Sequence, residues 1–265
     1  MRMPPLVVAA LVVCALLLEA PNHAWRADPG CVWVLMSVPR GDVAAQAARI
    51  RAIVAAAFQL LEERGLDGFS MRSLATELGV FPATLYWHIG DRSQLLGLVE
   101  YRWIEELQLP PDDAPWREWM LELGRRYRAH CLAHPNVARL ATLERARNVE
   151  SLSIPDVIVG RLESLGFDDE LVLAFNAVIG AVRGFVLLEL APRSEPDSAD
   201  VLEADLRSLD PERFPHITRH FDKLADQALS LRWSNGVESP LNDSFDFLMS
   251  LLIDGLLARS KKPGR

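Results

Sequence analysis

Ser70-Met71-Arg72-Ser73-Leu74-Ala75-Thr76-Glu77-Leu78-Gly79-Val80-Phe81-Pro82-Ala83-Thr84-Leu85-Tyr86-Trp87-His88 is the stretch that decides the fold. Ser70 is a good N-cap for a short helix running to Leu78. Gly79 then permits the positive φ of a tight turn. Pro82 suits the first turn of a second short helix, Pro82–His88, where a missing N–H costs nothing. Ala75 is small where the two helices must approach, and Leu74, Leu78, Val80 and Leu85 supply a small shared core. This is the composition of a helix-turn-helix, whose second helix enters the major groove. Thr84, Tyr86, Trp87 and His88 are the groups expected to be exposed on that helix, able to bond phosphates or base edges. Arg72 and Arg92 flank the motif as phosphate clamps. An ordinary helical hairpin accounts for any one of these residues; the small residue, the glycine and the apolar spacing together point to DNA.

Working outward, the apolar period is about 3.6 residues nearly everywhere, and no strand pattern appears. The fold class expected is therefore all-α. Upstream, Ile50, Val54, Ala57, Phe58 and Leu61 form one stripe of a helix over Val43–Arg64, ended by Gly65. Downstream, Arg92–Leu107 is helical and Pro110-Pro111 closes the unit. Further helices are expected over Trp116–Ala133, Val137–Arg145, Pro155–Leu165, Asp169–Leu190, Phe214–Leu231 and Ser244–Arg259. Asp169–Leu190 is nearly all apolar, so it should be buried on most sides. In the last helix Phe245, Leu248, Leu251, Leu252 and Leu256 are expected to fill an apolar face. Ser194–Pro215, rich in Asp, Glu, Ser and Pro, reads as a flexible loop. The organisation expected is an atypical apolar segment over 1–35, a DNA-binding domain over 36–108 and a larger domain over 112–260.

The chain has 265 residues, half of them hydrophobic, with a formal charge of -8. An acidic total does not exclude DNA, because the local field at the contacting face decides. Cys14, Cys31 and Cys131 form no disulfide framework and no CxxC zinc site. Residues 1–20 resemble a secretory signal, with Arg2 before the apolar run Leu6–Leu18, which is shorter than the ~20 residues a membrane span needs. Read literally, that segment describes an exported or tethered helical binding protein. The competing reading places the translation start at Met36 and the protein in the cytoplasm, since a DNA reader elsewhere has nothing to read. No nucleophile elbow, phosphate loop, HExxH or GxGxxG is present, so no enzyme is expected.

The run ATLYWHIGDRSQLL resembles the recognition helix and following helix of the tetracycline-repressor (TetR) family. The resemblance extends over about residues 40–260, with Trp116–Pro135 and Phe245–Arg259 resembling the C-terminal domain of the tetracycline-repressor subgroup. It implies an all-α, Ω-shaped homodimer: a small N-terminal three-helix domain reads operator DNA, and a larger helical domain binds a small-molecule inducer and dimerises. On this resemblance Arg72, Thr84, Tyr86 and His88 match family DNA contacts, and Arg92 stands where a phosphate-binding lysine is usual. Phe81 and Pro82 depart from the prototype, which has polar residues there, so a different operator is implied.

For the larger domain, Trp119, Leu123 and Tyr127 recur at four-residue spacing, a pattern that serves a core more often than a pocket. The resemblance aligns Leu123 and Tyr127 with drug-contacting positions. Asn176 and Arg183 share a face, and Gly180 and Gly184 let a partner helix approach. Arg183 suits either a ligand anion or an ion pair. The five residues Trp119, Leu123, Tyr127, Asn176 and Arg183 are the candidate ligand contacts. The prototype's metal-binding histidine aligns with Ala141, and its pocket glutamate falls near Leu188 or Glu189, which argues against magnesium-tetracycline. His130 and His134 have metal-ligand spacing, but no third ligand completes a set, so no metal and no cofactor are expected. The partners implied are double-stranded operator DNA, a small-molecule inducer and a second copy of the chain, with no membrane.

Overall fold

A computed structural model of the chain describes residues 40–143, 152–191, 196–225, 227–228 and 241–261. The described residues are helical, with no strand among them. The segment over 1–35 and the proposed start at Met36 lie outside the described residues. The chain divides into two compact units, the first ending at Ile104 and the second beginning at Glu105.

The first unit holds α1 (Arg40–Gly68), α2 (Met71–Glu77), α3 (Pro82–Ile89) and most of α4 (Arg92–Glu105). In α1 the predicted stripe is the buried one: Ile50, Val54, Ala57, Phe58 and Leu61 are all in the core. Gly65 adopts φ 66 and ψ 179, which interrupts the helical geometry where the sequence predicts an end. Leu74 and Ala75 of α2, Leu85 and Ile89 of α3, and Leu95, Leu96, Val99 and Trp103 of α4 complete this core. Each fully buried aliphatic side chain stabilises by about 1.5–3 kcal/mol.

The second unit holds α5 (Trp116–Ala133), α6 (Pro135–Leu143), α7 (Ser153–Ser164), α8 (Leu171–Glu189), α9 (Pro196–Arg207), α10 (Pro215–Arg219), α11 (Phe221–Leu224) and α12 (Asn242–Arg259). Its core joins four of them: Trp116, Trp119, Met120 and Leu123 from α5; Ile158 and Leu162 from α7; Ala174, Val178, Val182 and Phe185 from α8; Phe245, Met249, Ile253 and Leu256 from α12. Gly124 lets α12 approach closely, since a Cβ there would sit 2.7 Å from Met249 Cε.

Several expectations need correcting. The segment after residue 195 is the helix α9, not a loop. Pro196 begins it, and Arg207 bonds Glu203 one turn back at 2.7 and 2.9 Å. Of the helix expected over Phe214–Leu231, residues 226 and 229–231 lie outside the described residues, and the described part forms the short α10 and α11, because His220 leaves regular helical geometry between them. Val80 is exposed and outside the motif's core, and Leu251 is exposed on α12. The helix α8 is not buried on most sides: Val172, Leu173 and Leu188 lie open on its outer face.

Candidate functional site

The reading head is assembled by local capping. Ser70, at φ -144 and ψ 155, accepts from the Ser73 N–H at 3.0 Å, and the Ser73 hydroxyl oxygen accepts from the Ser70 N–H at 3.0 Å. This reciprocal box occupies donors that would otherwise be orphaned at the start of α2. At the other end Leu78, Gly79 and Val80 donate to Leu74, Thr76 and Ala75 at 2.9–3.1 Å, closing the helix through Gly79 at φ 66. Phe81 then stands in extended geometry before Pro82 and starts α3 without a side-chain cap. Gly90, at φ 93, ends α3, and the Asp91 carboxylate takes the Gln94 N–H at 2.8 Å to start α4.

This frame turns Leu85, His88 and Ile89 inward and leaves Phe81, Pro82, Ala83, Thr84, Tyr86 and Trp87 outward. Phe81 is 83% exposed and Trp87 72%. Arg72 is exposed at the start of α2. Arg92 is also exposed, but its guanidinium donates to the Leu66 carbonyl at 3.4 Å and lies 5.7 Å from the Phe69 ring centroid. It therefore ties the end of α1 to the start of α4 while remaining within reach of solvent.

His88 does not stand exposed on the recognition helix. It is buried, with Gln46 Nε2 3.1 Å from its Nδ1. An amide nitrogen donates, so the ring is held with Nδ1 as acceptor. Burial, and next the positive charge of Arg49, lower its pKa below the ordinary 6.5. Both effects keep the imidazole neutral, and they make it a brace between α1 and α3.

The candidate ligand residues do not converge. Trp119 is fully enclosed: its indole N–H donates to the Pro110 carbonyl at 3.3 Å, and the Arg161 guanidinium lies 4.4 Å from its ring centroid. Leu123 is buried beside it. Asn176 faces out on α8, away from both. Tyr127 is partly buried against the same core as Trp119 and Leu123, and both it and Arg183 act on Cys131, whose thiol burial pushes up to about 12.

The polar constellation that sequence reasoning missed is centred on Arg128. Its Nε and Nη2 donate to the two Glu189 oxygens at 2.7 and 2.6 Å, and its Nη1 donates to Asn242 Oδ1 at 2.8 Å. The Leu241 N–H adds a longer bond to Glu189 at 3.4 Å, and Phe245 faces the guanidinium at 5.3 Å. Both charged residues are buried. No local signal announces the pair, because its members are 61 residues apart.

Residues 53–99 match the family described as bacterial regulatory proteins, tetR family, and residues 109–260 match the tetracyclin repressor-like C-terminal domain. The chain belongs to the TetR family. This is a family of transcriptional regulators, not of enzymes. A helix-turn-helix-type transcriptional regulator of Saccharopolyspora erythraea is 31% identical over 128 residues, 48% of this chain, and the match spans only 54% of that relative's length. The class G tetracycline repressor of Vibrio anguillarum is 27% identical over 194 residues, 71% of this chain and 89% of its own. Among solved structures, the TetR family protein ActR of Streptomyces coelicolor, in complex with actinorhodin, is 28% identical with a TM-score of 0.64, covering 80% of this chain and 98% of that one.

Proposed function

We propose that the chain is a cytoplasmic transcriptional repressor that binds a near-palindromic operator as a homodimer and is released by a mostly hydrophobic small molecule. The observation that carries this reading is the outer face of α3, where Thr84, Tyr86 and Trp87 are withheld from the core beside the exposed Arg72 and Arg92. Hydroxyls, ring N–H groups and guanidinium groups bond phosphates and base edges. The buried His88 supports the same reading indirectly, by fixing the angle at which α3 leaves α1.

Dimerisation is supported by two outer stripes. On α8, Leu173, Ala177, Gly180, Gly184 and Leu188 recur at helical spacing; on α12, Phe247, Leu251 and Gly255 do the same. A Cβ at Gly180, Gly184 or Gly255 would meet nothing within 4 Å in the single chain. An apolar stripe with open glycines suits a helix from a second copy. Two heads related by a two-fold axis read half-sites separated by a multiple of ~34 Å.

Ligand control is supported by the complex of ActR with actinorhodin and by the aromatic second core. Tyr127, packed against the core that holds Leu123, and Arg183, which acts with it on Cys131, are the candidate contacts of the inducer. Release works by population shift, the ligand preferring a state that cannot span both half-sites. The test is to select bound duplexes from genomic fragments, then measure band shifts with Tyr86→Ala and Trp87→Ala. A repressor loses its specific complex in both variants; unchanged affinity in both sinks the assignment. Compounds that raise the melting temperature must also release the selected duplex.

A further inference from the structure

The side-chain chemistry of α3 carries an inference about what is read in the groove. The helix Pro82-Ala83-Thr84-Leu85-Tyr86-Trp87-His88-Ile89 contains no Arg, Lys, Asn, Gln, Asp or Glu. Those are the side chains that recognise guanine, adenine and cytosine edges with paired hydrogen bonds. His88, the one residue of α3 with two ring nitrogens, is turned inward on Gln46. The exposed polar groups that remain are the hydroxyls of Thr84 and Tyr86 and the indole N–H of Trp87.

The N-terminal residues of a recognition helix are the ones that contact base edges. Here they are Phe81, Pro82 and Ala83, all exposed and all apolar. Phe81 is 83% exposed, and its extended backbone before Pro82 holds it ahead of the helix. Pro82 also removes a backbone N–H at that end. The major groove presents one apolar group to such a surface, the 5-methyl of thymine. We infer that each operator half-site is read through a thymine methyl group, with Phe81 as the specificity-determining side chain. This rests on the operator-binding reading above and specifies the base chemistry it uses.

The experiment starts from a random-sequence duplex library, selected with the full chain, and measures affinity by fluorescence anisotropy. Each thymine of the selected duplex is then replaced in turn by deoxyuridine, which removes only the methyl group. At one position per half-site the loss should be about fourfold, the worth of burying one methyl-sized group, and roughly 15-fold when both half-sites are changed. Phe81→Ala should weaken the thymine duplex and bind thymine and uridine forms alike. Phe81→Leu should keep part of the discrimination, and 5-methylcytosine at the same position should bind better than cytosine. A wild-type protein that prefers some sequences yet ignores uridine replacement overturns this inference alone. So does Phe81→Ala retaining the full thymine preference, or changing only self-association in light scattering, which would give the ring to a second copy. A library from which nothing is enriched overturns operator binding itself.

Discussion

At the residue scale, exposure separates side chains that read from side chains that hold. Tyr86 is half exposed, so Tyr86→Ala should shift unfolding free energy by no more than about 0.5 kcal/mol while the specific DNA complex disappears. His88→Ala should do the reverse in kind: a loss of about 1–2 kcal/mol in urea unfolding, from a buried ring and its Gln46 bond. The lowered pKa of His88 has a sign that can be checked. Its folded form resists protonation below the ordinary 6.5, whereas the unfolded chain takes the proton there. The contribution is therefore whole above pH 6.5 and is lost as pH falls below it. Between about pH 7.5 and about pH 5.5 the melting temperature of the wild type should fall more than that of His88→Asn. The sequence contained the clue to this residue. His88 lies three positions after Leu85 and one before Ile89, which puts it on the inner face, whereas its resemblance to a family contact implies the outer one.

At the element scale, the helices that were legible are those with local start and stop chemistry. Ser70, Gly79 and Pro82 set the bounds of α2 and α3 to within a residue, because caps and turns act on their immediate neighbours. Gly79 gives a clean test: at φ 66 a Cβ would meet nothing within 4 Å, so Gly79→Ala carries only backbone cost. That cost is about 1–2 kcal/mol, measurable by denaturant unfolding. A neutral Gly79→Ala would mean the turn relaxes. The helix α9 was illegible because Pro196, Asp197 and Ser198 at its start have turn composition; its Glu203–Arg207 pair at i,i+4 is a local helical signal, whereas the stacking of Arg207 near Phe221, 5.2 Å to the ring centroid, depends on packing that composition does not encode. Trp119, Leu123 and Tyr127 illustrate the same limit. Their spacing placed them on one face of α5, but which of them the core encloses depends on α7, α8 and α12.

At the scale of the whole molecule, the two outer stripes predict assembly. Leu251→Arg, placed at an exposed position of α12, should leave the helical signal intact and shift the particle from dimer to monomer in light scattering at micromolar concentration. A dimer unaffected by both Leu251→Arg and Leu173→Arg would assign the stripes to something else. Inside the second unit, Glu189→Ala leaves the Arg128 charge buried without its carboxylate and should cost about 3–5 kcal/mol. The double change Arg128→Met with Glu189→Leu should recover most of that loss. The fork between Arg128 and Glu189, with Asn242 as its third tine, also fixes a register. Sliding α5 along α8 by one turn, about 5.4 Å, would pull the guanidinium off both oxygens and leave two opposite charges stranded in an aliphatic interior. The bundle thus has a detent: α5, α8 and the start of α12 are held against creeping past one another.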